Sequence, residues 1–185
     1  MRQIAFALCF AALPVSLLGD QAARGSAPAG PVLVIDTAKG SIEIELFQSD
    51  APKSVDHIVR LVKRNFYRSQ RFHRVEGFIV QFGDQSSRDM TQMRYWGLGG
   101  SNSPIGVAEI SKRQNVRGTV GLAHSGNATM ADSQIYILKG ANATLNGKYT
   151  VIGRVAKGMD VVDKIEKADL IKLVTIREVS PAGAK

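Results

Sequence analysis

From residue 31 onward the hydrophobic positions fall in short blocks whose period changes along the chain. Val32 to Asp36 and Ile42 to Phe47 are rich in Val, Ile and Leu. In the second block Ile42, Ile44 and Leu46 alternate with Glu43 and Glu45, the two-residue period of a half-buried strand. Between the blocks, Thr37-Ala38-Lys39-Gly40-Ser41 contains a glycine able to take positive φ, so the pair predicts a β-hairpin. Ser49-Asp50-Ala51-Pro52 then combines capping residues with a proline near a helix start. Val55, Ile58, Val59, Val62 and Phe66 mark one apolar face of a helix ending near Asn65. Phe72 to Phe82 returns to a strand-like pattern broken at Gly77.

Residues 85 to 115 mix polar residues with Gly97, Gly99, Gly100 and Gly106, a long connection of the kind that is usually functional or disordered. Thr119 to His124, Gln134 to Leu138 and Tyr149 to Val155 predict further short strands. Met159, Val161, Val162, Ile165 and Ala168 predict a second amphipathic helix, and Ile171 to Val179 a last strand. Many short strands with two isolated helices predict a mainly β fold, a closed or nearly closed antiparallel sheet capped by helices. There is no internal repeat, and 185 residues are too few for two ordinary domains. The expected layout is one domain over residues 31–180 and a tail over 181–185.

The start of the chain reads differently. Arg2 precedes an uncharged run from Ile4 to Gly19, followed by small residues from Ala22 to Gly30. The run is shorter than the roughly 20 apolar residues that span a bilayer. Residues 1–30 therefore read as a secretory signal peptide and short linker, with an uncleaved anchor as the rival. Export to the periplasm or the medium is expected, with no stable membrane insertion after cleavage.

The chain carries 24 Lys and Arg against 16 Asp and Glu, a formal charge of +8. Without Arg2, Arg24 and Asp20 the mature chain keeps 22 against 15, or +7. Cys9 is the single cysteine and lies in the leader. The mature chain thus has no thiol for a disulfide, a zinc site or a nucleophile. His57, His73 and His124 lack metal-site spacing, no GxSxG elbow is present, and Gly140 to Lys148 has the wrong glycine spacing for a phosphate loop. Asn127-Ala128-Thr129 and Asn142-Ala143-Thr144 match the glycosylation acceptor pattern. Arg60, Lys63, Arg64, Arg68, Arg71 and Arg74, interleaved with Phe66, Tyr67 and Phe72, match a nucleic-acid footprint or a solvated face over core aromatics. No recognised nucleic-acid motif accompanies them, and no nucleic-acid partner is expected.

Residues 72–84 read FHRVEGFIVQFGD and residues 133–138 read SQIYIL. With Ala51 to Val55, Asn65-Phe66-Tyr67, Arg117 to Ala123, Leu145 to Lys148 and Gly153 to Val162, these resemble the cyclophilin family of peptidyl-prolyl cis-trans isomerases. The resemblance covers residues 32 to about 179 in family order, and the compact size is similar to that of the bacterial exported members.

The resemblance implies a closed eight-stranded antiparallel barrel with a helix over each end. It implies a groove for X-Pro bonds in peptides, unfolded chains or newly exported proteins, no cofactor or metal, and a monomer. Matched residue by residue, Arg74 is the implied catalytic guanidinium. Phe78, Ile79 and Gln81 follow in the same segment, and Gln134 and Tyr136 come from the second. Ala123 and His124 are implied at the rim, and Leu145 and Tyr149 complete the proline pocket.

The sequence departs from the family pattern at several of these positions. Glu76 stands for a two-residue connection between Val75 and Gly77, Phe82 replaces a customary glycine and adds bulk beside Gln81, and Ile79 stands where Met is usual. Ile135 and Tyr136 replace a Phe pair, His124 replaces Asn or Arg, and Tyr149 stands where many members have His. Thr144 replaces an aromatic residue, from which weak cyclosporin binding is expected. The alternative is a catalytically weak peptide-binding or chaperone module on the same fold; a basic surface-binding protein is a third class.

Overall fold

The computed structural model describes residues 30–178. The expected signal peptide, the 181–185 tail and the end of the last predicted strand lie outside these residues. The order of elements is β1 (Val32–Thr37), β2 (Gly40–Leu46), α1 (Pro52–Lys63), β3 (Arg74–Glu76), β4 (Ile79–Phe82), β5 (Thr119–Leu122), β6 (Ile135–Leu138), β7 (Val151–Lys157), α2 (Met159–Lys164) and β8 (Ile171–Arg177). Among the described residues all eight strands join one antiparallel sheet in the order β3-β4-β6-β5-β7-β2-β1-β8.

The expected closed barrel is corrected here: the sheet is an open, curled half-barrel. Among the described residues β3 pairs only with β4, and β8 only with β1, so no strand ladder crosses the seam. Irregular chain just ahead of β3 covers it instead. Ser69 N–H donates to Ile171 C=O, Ile171 N–H to Gln70 C=O and Phe72 N–H to Asp169 C=O, with a single bridge between Arg71 and Leu170. Ser69 has φ +62°, a left-handed conformation that interrupts extended pairing.

The interior of the curl is apolar. Ile35, Ile42, Ile44, Val80, Phe82, Val120, Leu122, Ile135 and Ile137 come from the strands, and Val55, Ile58, Leu61 and Val62 from α1. Alternation along each strand sends one side chain inward and the next outward. Phe82 is therefore not bulk beside Gln81, as the sequence suggests. It is fully buried, edge-on to Tyr67 and Phe72 at ring separations of 5.7 and 5.4 Å. Tyr67 and Phe72 are buried as well, so they present no stacking surface within the basic stretch.

Both helix ends differ from expectation. Ala51, not Ser49 or Asp50, precedes α1 and makes no side-chain cap. The cap comes from the long connection: Glu109 accepts from Lys53 N–H at 3.0 Å and Ser54 N–H at 2.8 Å, placing a carboxylate at the helix N-terminus. Asp50 instead pairs with Arg113. α2 stops at Lys164 rather than Ala168. The Lys164 carbonyl accepts from Lys39 Nζ at 2.7 Å, and Ala168, at φ +73°, turns its N–H to the Phe72 carbonyl at the seam. Ile165 is still buried, so the apolar period outlasts the helix because packing, not helical geometry, covers it.

Candidate active site

The site is built on the outer face of β3, β4, β6 and β5. In the β3–β4 hairpin Arg74 is opposite Gln81 and Glu76 is opposite Ile79, so these four share a face. Gly77 and Phe78 form the two-residue turn, and the shortening at Glu76 leaves both Arg74 and Phe78 on the pocket wall. The next pairing sets Gln81 against Tyr136, and Tyr136 faces Gly121 on β5. A Cβ at Gly121 would lie 2.4 Å from the Tyr136 ring and hydroxyl, so only glycine lets that ring lie across the strand.

A pocket of about 220 Å³ results. Its lining brings together nine of the ten sequence-predicted residues: Arg74, Phe78, Ile79, Gln81, Ala123, His124, Tyr136, Leu145 and Tyr149, joined by Asn142. Ile79, Tyr136 and Leu138 form a small buried apolar cluster distinct from the main core, with Ala123, Leu145 and Tyr149 packed on it. Phe78 remains more than a third exposed at the rim. Ile79 and Tyr136 are buried, yet they belong to this outer cluster and not to the interior of the curl.

Gln134 is the residue the pocket does not include. It lies in an adjoining cavity of about 420 Å³ with Gln81, Gly97, Gly99, Met130 and Asp132. Its Nε2 donates to the carbonyls of Gly97 and Gly99 at 2.8 and 2.7 Å, and its Oε1 accepts from Gln81 Nε2 at 2.7 Å. Gln81 Oε1 in turn accepts from Arg74 Nη1 at 3.4 Å. Gln134 thus steadies Gln81, which steadies the guanidinium.

Arg74 is also held by a residue that sequence reasoning treated only as a shortened connection. Its Nε donates to Glu76 Oε1 at 2.7 Å and its Nη2 to Glu76 Oε2 at 3.0 Å, a bidentate pair. The guanidinium holds the Glu76 carboxyl below its usual range, and Glu76 raises the already high Arg74 pKa. Two further contributors went unread. Asn115, from the long connection, accepts the Tyr136 hydroxyl at 2.9 Å. Asp84 accepts from Gly97 and Gly99 N–H, fixing the turn that Gln134 binds. Asp84 ends the quoted FHRVEGFIVQFGD segment, so a signal was present; for Asn115, 21 residues from Tyr136, none was.

Burial pushes the Tyr136 hydroxyl well above its ordinary pKa, so it stays protonated and donates. His124 stacks on Tyr149 at 4.4 Å between ring centroids, with Nε2 3.0 Å from the Lys148 carbonyl. His73, buried behind Gly97, has both ring nitrogens without a hydrogen-bond partner, and desolvation pushes its pKa down to about 4. The two Asn-Ala-Thr tripeptides serve local structure: Asn127 and Asn142 accept from the N–H two residues on, capping short 3-10 turns. Thr144 bonds Asn142 Oδ1 within the second of these turns. Among the described residues, no group of three or more His, Cys, Asp or Glu is placed to hold a metal ion.

The arrangement offers a fixed cationic donor at the edge of an apolar slot, the means to grip a compact apolar ring and direct hydrogen bonds at a polar atom beside it. Comparison with known proteins agrees in kind. The family model described as cyclophilin type peptidyl-prolyl cis-trans isomerase matches residues 32–180. A protein of Brucella suis named probable peptidyl-prolyl cis-trans isomerase is 40% identical over 171 residues, covering 90% of this chain and 87% of its own. A Helicobacter pylori peptidyl-prolyl cis-trans isomerase is 37% identical over 145 residues, 76% of this chain and 83% of its own. Among solved structures, a Cryptosporidium parvum cyclophilin type peptidyl-prolyl cis-trans isomerase, crystallised in the presence of the dipeptide Ala-Pro, superposes with a TM-score of 0.69. It is 25% identical, covering 80% of this chain and 99% of its own.

Proposed function

The chain belongs to the cyclophilin-type peptidyl-prolyl cis-trans isomerase family, and from that premise we propose that Arg74 drives the rotation of X-Pro bonds in unfolded chains and so assists their folding. The observation that carries this reading is the Arg74 guanidinium lining the same small pocket as Phe78, Ile79, Tyr136 and Leu145.

An ordinary peptide bond rotates over a barrier of about 18–20 kcal/mol, because the nitrogen lone pair is delocalised into the carbonyl. At X-Pro the two planar isomers differ by only about 0.5–1 kcal/mol, so the equilibrium is balanced but slow. No covalent bond is made or broken. In the twisted state the nitrogen becomes pyramidal and its lone pair can accept a hydrogen bond. Of the five guanidinium N–H bonds, three are committed to Glu76 and Gln81, leaving one on Nη1 and one on Nη2. A donor held there stabilises the twisted amide more than either planar form, which is what lowers the barrier. The apolar floor anchors the proline ring while the preceding carbonyl turns. A 10⁴-fold acceleration corresponds to roughly 5–6 kcal/mol of differential stabilisation.

Newly exported chains are the clients this reading favours, supported by the leader-like pattern of residues 1–30. Periplasmic or secreted location follows from the same pattern. A protease-coupled isomerisation assay on wild type and Arg74→Ala tests the mechanism. Loss of about 10²–10³-fold in kcat/KM with an unchanged circular dichroism spectrum is expected for removal of a transition-state donor. Full activity in the variant overturns the role of Arg74.

A further inference from the structure

Glu76 is two residues beyond Arg74 on a three-residue strand, so both side chains leave the same face. The pair is bidentate, yet each side chain is close to half exposed. Exposed ion pairs add little to stability, and among the described residues Arg74 is the only side-chain partner of Glu76. Holding the fold together does not account for it.

Its position relative to the pocket does. Among the residues lining the pocket there is no carboxylate, and Arg74 is the fixed cation. The Nε/Nη2 edge of a guanidinium matches a carboxylate in shape and charge. Left open, that edge would draw an acidic side chain of a bound peptide onto the cation that faces the rotating amide. Glu76 occupies this edge and leaves one N–H on Nη1 and one on Nη2 free. Because Glu76 is opposite Ile79, a pocket residue, its exposed carboxylate also stands within one strand step of the pocket.

Building on the isomerase reading above, we propose that Glu76 is a positioning and specificity residue. It fixes Arg74 and makes the groove prefer substrates with a positive charge beside the X-Pro pair over substrates with a negative one.

The test uses short X-Pro peptides carrying Lys, Gln or Glu at each position flanking the pair, with exchange measured by NMR so that no protease selectivity intrudes. Wild type is expected to show a Lys-to-Glu ratio of kcat/KM above one at one or more flanking positions, shrinking as salt is raised. Glu76→Gln lowers that ratio by about two- to fivefold, the scale of one exposed charge pair. Glu76→Asp, which keeps the charge, retains most of it. Glu166→Gln, which removes a charge remote from the groove, leaves the ratio at the wild-type value. An unchanged ratio in Glu76→Gln, in an enzyme that still isomerises, overturns the role of Glu76 and leaves the isomerase reading intact. Absence of any acceleration by wild type overturns both.

Discussion

Gln81 Nε2 donates to Gln134 Oε1 across 2.7 Å, tying the strand opposite Arg74 to the residue just before β6. The chain of bonds continues from Gln134 to the carbonyls of Gly97 and Gly99, whose N–H groups end on the buried Asp84. One face of the guanidinium is therefore referenced to the protein interior through four hydrogen-bonded steps. Gln134→Ala cuts this chain while leaving Arg74 and every pocket-lining residue unsubstituted. Catalysis tolerates little misplacement of a donor, so kcat should fall about tenfold, with KM for a Pro-peptide changing less. A fall in KM affinity alone, with kcat intact, would assign Gln134 to peptide binding instead.

Tyr136 presents a ring to the pocket and a hydroxyl to Asn115, which is itself buried. Tyr136→Phe keeps the ring and leaves the Asn115 oxygen without that donor, a cost of about 1–3 kcal/mol in stability. Activity at 25 °C should change by no more than about twofold if the ring is what the substrate meets. Denaturant unfolding and the isomerisation assay on the same variant separate the two effects.

Acid stability should show an early limb caused by His73. Desolvation holds its folded pKa near 4, against the ordinary histidine value of 6.5. Between those values the unfolded chain binds a proton that the folded chain does not, so stability falls as pH is lowered from 6.5 to about 4 and is level for this group below that. The full loss is about 3 kcal/mol. Asp84 and Asp132 have lowered pKa values, so their contribution is lost in a separate window, as pH falls below the usual 3.8. Urea unfolding of wild type and His73→Phe from pH 7 to 4.5 checks this; equal slopes in the two proteins would remove His73 as the cause.

Catalysis itself should be nearly flat from pH 6 to 8. Arg74 stays charged, its pKa raised by Glu76, and Glu76 stays ionised because its own is lowered. A steep rate profile in that range would require a titrating group in the reaction and would contradict the guanidinium mechanism.

Glu109 reaches from the long connection to the first turn of α1. Glu109→Ala strips two helix N–H groups of their acceptor and should cost about 1 kcal/mol, read as a lowered melting temperature. Glu109→Gln keeps an acceptor but loses the charge at the helix end, and should lie between the two.

The elements of this protein were legible wherever the cause was local. Alternation at Ile42, Ile44 and Leu46 sets a strand in any context, and Pro52 starts a helix because its missing N–H is needed by no one there. The family motifs likewise named nine of the residues that now line one pocket. What the chain order could not express were relations between distant segments. The cap on α1 comes from Glu109, the partner of the Tyr136 hydroxyl from Asn115, and the chain beyond α2 is held at the seam by Phe72 through Ala168. Whether the sheet closes was also out of reach: it depends on how a left-handed Ser69 meets β8, not on any strand's own period. Periodicity records which face a side chain seeks, since burial of apolar surface acts on each segment separately. Hydrogen bonds and ion pairs are directional and short, so their partners are chosen only once the curled sheet has brought those atoms within reach.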